Sequence, residues 1–174
     1  MKIGRGTGVA LILLTAATVS AIAMWRHHLK NELPIKVGIL QALSGPTVES
    51  ERPLLEALQL AIEDANAAGG IRGQKIQAVM ADCGLDAAQC AREAERLITE
   101  EQVQALFGCW TSGCRKAVKE VVEKRHSLLF YALRYEGMEQ SPNILYGGAV
   151  PNQLVMPAVH WALVNLGNRS EDPG

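Results

Sequence analysis

The residues best suited to ligand chemistry form one short stretch at 107–115, which reads Phe-Gly-Cys-Trp-Thr-Ser-Gly-Cys-Arg. The stretch follows a hydrophobic, β-like segment and leads into a predicted helix. Small polar residues at such a junction present backbone N–H groups and hydroxyls at the carboxyl edge of a sheet, where open α/β folds bind small ligands. The residues at 39–45 and 129–137 follow the same pattern. We therefore predict a binding site formed by these strand ends.

Hydroxyl and aromatic side chains at these junctions are the candidate ligand contacts. Ser112 would offer a hydroxyl, with the alternative that it or Thr111 caps the following helix. Trp110 would form an apolar wall of the pocket or would pack in the core. Tyr131 carries a polar hydroxyl at a strand end, and Ser44 either faces the cleft or serves a turn. The expected chemistry is hydrogen bonding to a compact ligand in a dry pocket.

No pattern in the chain indicates catalysis. His126 and His160 fall in separate predicted helices without a neighbouring nucleophile, and the sequence has neither a phosphate-binding loop nor a catalytic pair. We therefore predict that the protein is not an enzyme and needs no cofactor.

The four cysteines are even in number, so an oxidising compartment would permit them to pair. Cys83, at a predicted strand end, and Cys90, in the first turns of the next predicted helix, are the candidate pair. Cys109 is expected to be buried. Zinc is disfavoured, because Cys-x6-Cys at 83–90 and Cys-x4-Cys at 109–114 lack the short Cys-x2-Cys spacing typical of zinc sites.

The elements that would position these residues alternate between strands and helices. Short hydrophobic runs predict strands, and apolar residues at helical spacing predict helices between them. The order implies an α/β fold of three layers, a parallel sheet with helices on both faces. The predicted strands lie at 35–40, 75–81, 103–107, 127–131 and 144–146, and the predicted helices lie at 54–65, 87–98, 115–124 and 155–166.

The first 34 residues form a separate segment that predicts export. Lys2 and Arg5 precede an uncharged apolar run at 8–25, and the small residues at 21–23 fit a cleavage site. Basic residues directly after the run favour the alternative of an uncleaved membrane anchor. We predict a periplasmic or extracytoplasmic protein, cleaved or anchored to the inner membrane, with a polar tail at 167–174.

The overall composition limits the possible partners. A chain of 174 residues is long enough for one domain with a real core, and nothing beyond residue 166 predicts a second domain. The formal net charge is −1 and no run is rich in Lys or Arg, so we expect no binding to nucleic acid.

Several blocks of the sequence, spread over about 35–166, resemble the N-terminal lobe of type I periplasmic binding proteins. The blocks at 107–112 and 135–137 resemble the branch that binds urea and short-chain amides. This resemblance implies a single Rossmann-like lobe of a two-lobed protein that closes over its ligand. The blocks lie at 37–45, 61–73, 107–112, 115–118, 128–131, 135–137, 141–144 and 149–153.

The resemblance implies a non-catalytic receptor for urea or a small neutral amide that works with an ABC permease. Because the likeness ends where the second lobe would begin, at 167–174, we expect a truncated product that binds weakly by itself. The alternative is a membrane-anchored, extracytoplasmic sensor domain of a signalling or amidase-regulating protein.

The resemblance also assigns roles to particular residues. It implies that Ser112 contacts the amide and that a loop containing Tyr135 and Glu136 closes the pocket wall. The chain departs from the family at Ala132 and Arg134, where the relatives carry proline and a neutral residue. Unless it is solvated, Arg134 would bring positive charge to the pocket and favour a carboxylate or carbamate-like ligand over urea.

Overall fold

The structure, a computed structural model, describes residues 18–22, 24–25 and 33–166. Residues 18–22 and 24–25 are helical and belong to the apolar run at 8–25. Most of the predicted export segment, including part of the cleavage site at 21–23, and the tail at 167–174 lie outside the described residues. No helix within the described residues is long and apolar enough to cross a membrane.

The described chain alternates strands and helices in the predicted order. The first strand, β1, begins at Ile35, and the last helix, α4, follows β5 through a short loop. The elements are β1 (Ile35–Gln41), α1 (Val48–Ala67), β2 (Ile76–Asp82), α2 (Ala87–Thr99), β3 (Leu106–Gly108), α3 (Ser112–Arg125), β4 (Leu129–Tyr131), β5 (Ile144–Tyr146) and α4 (Pro151–Leu166).

The five strands form one parallel sheet in the order β2-β1-β3-β4-β5, which confirms the predicted α/β fold class. The strand order reverses between β1 and β3, and a reversal of this kind opens a crevice at the carboxyl ends of the strands. At that point the Cys109 N–H donates to the Leu40 carbonyl oxygen at 2.9 Å. Gly108 lies beside this contact at φ +129°, a conformation that L residues with a Cβ rarely adopt.

Several element boundaries differ from the sequence prediction; α1 and α4, for example, begin at Val48 and Pro151 rather than at residues 54 and 155. β3 begins at Leu106 rather than at residue 103, because the Val103 N–H still bonds to the Leu97 carbonyl at the end of α2 (3.2 Å). α3 begins three residues earlier than predicted, since the Thr111 side chain caps it by accepting from the Cys114 N–H at 3.1 Å.

The hydrophobic core lies on the face of the sheet that α2 and α3 cover. Leu40, Leu106 and Leu129 project from three strands, and each is fully buried against helix residues such as Leu97 and Val118. In α2 the buried residues recur at helical spacing, as the sequence periodicity predicts.

Among the described elements, α1 is the helix that covers the opposite face. Phe107 and Phe130 stack on this face with ring centroids 4.7 Å apart, beside an apolar cavity of about 450 Å³ that Leu58 and Leu145 help to line. None of the residues of α4 is buried. The helix predicted at 155–166 is therefore present but leaves this part of the sheet uncovered.

Candidate functional site

An open cleft of about 780 Å³ lies beside the carboxyl ends of β4 and β5. The first turn of α3 and the loop after β4 form its sides, and the residues that precede α4 close one end. This position matches the ligand edge of parallel α/β sheets. The residues that line the cleft are Trp110, Ser112, Tyr131, Ala132, Leu133, Arg134, Tyr135, Glu136, Gly148, Ala149 and Pro151.

The cleft is organised around Arg115, which is fully buried in the first turn of α3. Its Nη2 donates to Glu136 Oε2 at 2.9 Å, and its Nε donates to Glu139 Oε1 at 3.0 Å. Both glutamates lie in the loop between β4 and β5. A buried guanidinium with two carboxylate partners therefore ties that loop to α3.

Aromatic rings enclose the same guanidinium. The Arg115 Cζ lies 4.9 Å from the Tyr131 ring centroid and 5.4 Å from that of Tyr135. Tyr135 in turn stacks on Tyr146 at 4.5 Å, and the Tyr146 hydroxyl donates to Glu139 Oε1 at 2.8 Å. These cation–π and hydrogen-bond contacts fix the tyrosines that form one wall of the cleft.

Ser112 connects this network to the surface of the cleft. Its hydroxyl donates to Glu136 and accepts from Arg115 Nη1 at 3.4 Å. The hydrogen bond from Ser112, with support from Arg115, lowers the pKa of Glu136 from 4.5 to about 2. The Glu136 carboxylate is therefore ionised at neutral pH and gives the cleft a fixed negative group beside the Ser112 hydroxyl.

Burial and hydrogen bonds shift the pKa values of Arg115, Glu139 and Tyr146. Burial disfavours the charged form of Arg115, but its hydrogen bonds to Glu139 and Glu136 outweigh this effect and raise its pKa above the ordinary value. The hydrogen bond from Arg115 lowers the pKa of Glu139. Burial, together with the hydrogen bond to Glu139, raises the pKa of Tyr146. All of these groups hold one charge state through the neutral range.

Most of the residues predicted from the sequence meet at this cleft. Trp110, Ser112, Tyr131 and Tyr135 all line it. Tyr131 is nearly fully buried, and its hydroxyl donates to the Arg134 carbonyl at 3.3 Å, so only part of its ring faces the cleft.

The other two predicted residues, Thr111 and Ser44, have the alternative roles predicted for them, in a helix cap and in a turn. Thr111 caps α3 and is not among the residues that line the cleft. Ser44 is not among them either. Its hydroxyl donates to Asp82 Oδ2 at 2.5 Å and ties the loop after β1 to the end of β2. This hydrogen bond is the main cause of the lowered pKa of Asp82.

Arg134 is an exposed cation on the wall of the cleft. Its backbone carbonyl accepts from Tyr131, but within the described part of the chain its guanidinium has no ion-pair partner. It therefore differs from Arg115, whose charge is balanced by two carboxylates.

The predicted Cys83–Cys90 disulfide is wrong. Cys109 and Cys114 form the disulfide, with Cα atoms 5.5 Å apart, and Cys83 and Cys90 are free, buried thiols. The tight turn between β3 and α3 brings the first pair into disulfide range. The Cys90 Sγ lies instead 3.8 Å from the Cys83 carbonyl oxygen.

Sequence reasoning missed Arg115, Glu139 and Tyr146 as parts of the site. One signal was present, since an arginine in the first turn of a helix opposes the helix dipole and needs a compensating partner. Its glutamate partners lie 21 and 24 residues away, and sequence spacing does not pair residues at that separation.

Comparison with known proteins identifies the family to which this fold belongs. Residues 35–171 match the family described as periplasmic binding protein domain. Leu/Ile/Val-binding protein homolog 7 of Brucella suis is 36% identical over 115 residues, which are 66% of this chain and 26% of that protein. Homolog 8 of Brucella abortus is 34% identical over 123 residues, 71% of this chain and 27% of that protein. The chain thus spans about a quarter of the length of these relatives.

A solved structure shows the same fold. The branched-chain amino acid transporter substrate-binding protein LivJ of Streptococcus pneumoniae, in complex with isoleucine, superposes with a TM-score of 0.71 at 25% identity. The match covers 77% of this chain and 39% of that one. The chain belongs to the periplasmic binding protein domain family.

Proposed function

We propose that this chain is a solute-binding lobe of an ABC importer and that its cleft binds the carboxylate of a small organic acid, such as an amino acid, without turning it over. The observation that carries the proposal is Arg134, an exposed guanidinium on the cleft wall with no ion-pair partner in the described structure. A guanidinium presents paired N–H donors that fit a carboxylate.

The remaining walls support a compact ligand with a polar end. Tyr135 and Trp110 supply aromatic surface, and the Ser112 hydroxyl and the Glu136 carboxylate lie along the same cleft. An ionised carboxylate at Glu136 suits a ligand that also carries an ammonium group. Opposite charges on Arg134 and Glu136 would thus orient a zwitterionic amino acid.

Family membership supports the same ligand class. The LivJ structure holds isoleucine, which has both an ammonium and a carboxylate group. Urea or a short-chain amide, predicted from the resemblance of 107–112 and 135–137, has no carboxylate and would leave Arg134 without a partner. We expect an extracytoplasmic location and a permease partner, as the family implies.

Titration calorimetry of the full chain tests the proposal. Isoleucine should bind, with an affinity in the millimolar range because one open cleft buries only part of a ligand. Urea and acetamide should give no heat at the same concentrations. Tighter binding of urea or acetamide than of any carboxylate would overturn the proposed ligand class.

A pair of arginine variants localises the binding. Arg134→Ala should weaken isoleucine about 10-fold or more, because hydrogen bonds to charged groups are worth about 1.5–3 kcal/mol. Arg52→Ala is the matched control, since Arg52 lies on the surface of α1 and pairs with Glu49 away from the cleft. Equal affinities in the two variants would exclude Arg134 as the ligand contact.

A further inference from the structure

Two apolar surfaces of the described chain lack a cover. One is the groove beside α1, where an apolar cavity of about 450 Å³ lies on β3, β4 and β5. The other is α4, in which no residue is buried. Because apolar surface gains free energy when it leaves water, an open groove and an exposed apolar helix favour contact with each other.

The groove has the composition and the width of a helix-binding surface. Leu54 and Leu58 of α1 form one side, the stacked rings of Phe107 and Phe130 form the floor, and Leu145 of β5 forms the other side. None of the described residues that line it is charged. Neighbouring strands lie about 4.8 Å apart, so the three strands span about 10 Å, which is the width of one helix.

The sequence of α4 is typical of a buried helix. The helix contains no Lys, Arg, Asp or Glu, and five apolar residues recur at helical spacing on one face. All but one of these five are exposed, although a helix of this length depends on packing for its stability. The five residues are Val155, Val159, Ala162, Leu163 and Leu166.

The segment between β5 and α4 directs the helix away from its own sheet. The Gly147 N–H donates to the Tyr131 carbonyl oxygen at 2.8 Å, and the Val150 N–H donates to Gln153 Oε1 at 3.0 Å. These bonds hold the start of α4 beside the cleft. A second copy of the chain can receive the helix without any change in this segment, whereas the groove of the same chain could receive it only if the segment turned.

We propose that two copies of the chain exchange α4, so that the helix of each copy lies in the groove of the other. The exchange is two-fold symmetric, and it closes the assembly at a dimer. Half the surface of a helical cylinder about 10 Å wide and about 24 Å long is about 380 Å². Two such helices and the two grooves that receive them would together bury about 1,500 Å², the size of a standard protein–protein interface.

Sedimentation of the full chain measures this association. The wild-type chain should be a dimer at micromolar concentration. Leu145→Asp places a carboxylate in the groove, and Val159→Asp places one in the middle of the apolar face of α4. Each should weaken dimerisation at least about 100-fold, because the symmetric dimer buries the unpaired charge twice. A monomeric wild-type chain would overturn the proposal.

Two further variants are the matched controls. Leu85→Asp adds the same charge in the turn before α2, where Leu85 is 54% exposed and lies outside the groove. Asn165→Asp adds it on another face of α4. Both controls should dimerise like the wild type. All four variants keep residues 1–34, so dimerisation that is equally strong in all four would come from another part of the chain and contradict the exchange.

Mixing the groove variant with the helix variant distinguishes exchange from docking within one chain. Leu145 and Val159 are about half exposed in a single chain, at 47% and 51%, so its fold tolerates both substitutions. A mixed dimer keeps one intact contact, between the unchanged α4 of Leu145→Asp and the unchanged groove of Val159→Asp. The mixture should therefore dimerise more strongly than either variant alone. A mixture that dimerises as weakly as its components would show that α4 does not enter the groove of a second copy.

Discussion

Arg115 Nη2 lies 2.9 Å from Glu136 Oε2, and the two side chains differ sharply in exposure, 1% for the arginine and 62% for the glutamate. The pair therefore joins the buried start of α3 to the exposed loop after β4. Arg134 and Tyr135 lie in that loop. The position of the proposed ligand contacts thus depends on the Arg115 guanidinium, which is not among the residues that line the cleft.

Replacing Arg115 by methionine should destabilise the fold by about 3 kcal/mol, because breaking a buried ion pair leaves its partners uncompensated. The unpaired carboxylate of Glu139 would account for most of this loss, since its side chain is only 13% exposed. Chemical denaturation of the full chain measures the loss in free energy of unfolding.

Arg125→Ala is the control for this variant. Arg125 pairs with Glu95 at the surface, where both side chains are at least one third exposed, so its loss should cost less than about 1 kcal/mol. A similar loss in the free energy of unfolding in both variants would show that burial does not make the ion pairs of Arg115 more important for stability.

Glu136 should make stability depend on pH in the acid range. Its folded-state pKa of about 2 lies below the ordinary 4.5, so the ionised carboxylate stabilises the fold above pH 4.5. That contribution is lost as the pH falls from 4.5 toward 2. The free energy of unfolding of the wild type should therefore exceed that of Glu136→Gln at pH 6 by less than about 1 kcal/mol, since solvent screens this exposed side chain.

The difference between these two proteins should then shrink as the pH approaches 2. Carboxyl NMR titration provides a second readout at the residue itself. In Ser112→Ala the pKa of Glu136 should rise, because the hydrogen bond from Ser112 is the largest cause of its shift. An unchanged Glu136 titration in that variant would assign the lowered pKa to the Glu136 backbone N–H and Arg115 instead.

The sequence predicted the strand ends of the site well, because the carboxyl ends of parallel strands must meet at one edge. Trp110, Ser112 and Tyr131 were found in this way. The pairing of Arg115 with two distant glutamates could not be predicted, since it depends on how the loop between β4 and β5 folds back. The Cys109–Cys114 disulfide could not be predicted either, because the spacing of two cysteines along the chain does not give the distance between their Cα atoms across a turn.

Helical and strand periodicity fixed the order of the elements but not the coverage of the sheet. The apolar spacing in 155–166 predicted α4, and that helix forms. Periodicity does not say which surface an apolar helix contacts, and the face of the sheet around Leu145 stays open. Packing between elements, rather than local propensity, decides this part of the fold.

Gly108→Ala should destabilise the chain by at least about 2 kcal/mol, because φ +129° is strained for a residue with a Cβ. The added Cβ would also overlap the Leu40 carbonyl oxygen at the junction of β1 and β3. Gly113→Ala is the matched control. A Cβ at 113, in the first turn of α3, meets its nearest atom at an ordinary 3.7 Å, so this variant should gain up to about 1 kcal/mol of helix propensity. Thermal melts of both variants should therefore shift in opposite directions.

Glu51 should be the most important acid in the first turn of α1. It is 1% exposed, and its Oε2 accepts the Ala42 N–H at 2.8 Å. Glu51→Ala leaves that buried amide without an acceptor, so we expect a loss of about 1–3 kcal/mol in the free energy of unfolding. Glu51→Gln keeps an acceptor oxygen at the same place and should retain most of the stability.

Glu49→Ala separates this effect from a general loss of negative charge at the start of α1. The Glu49 side chain is 79% exposed and pairs only with Arg52 in the described structure, so its removal should cost less than about 1 kcal/mol. Amide hydrogen exchange at Ala42 completes the test. Its protection should fall in Glu51→Ala and persist in Glu49→Ala, and full protection of Ala42 in both variants would mean that another group accepts its hydrogen bond.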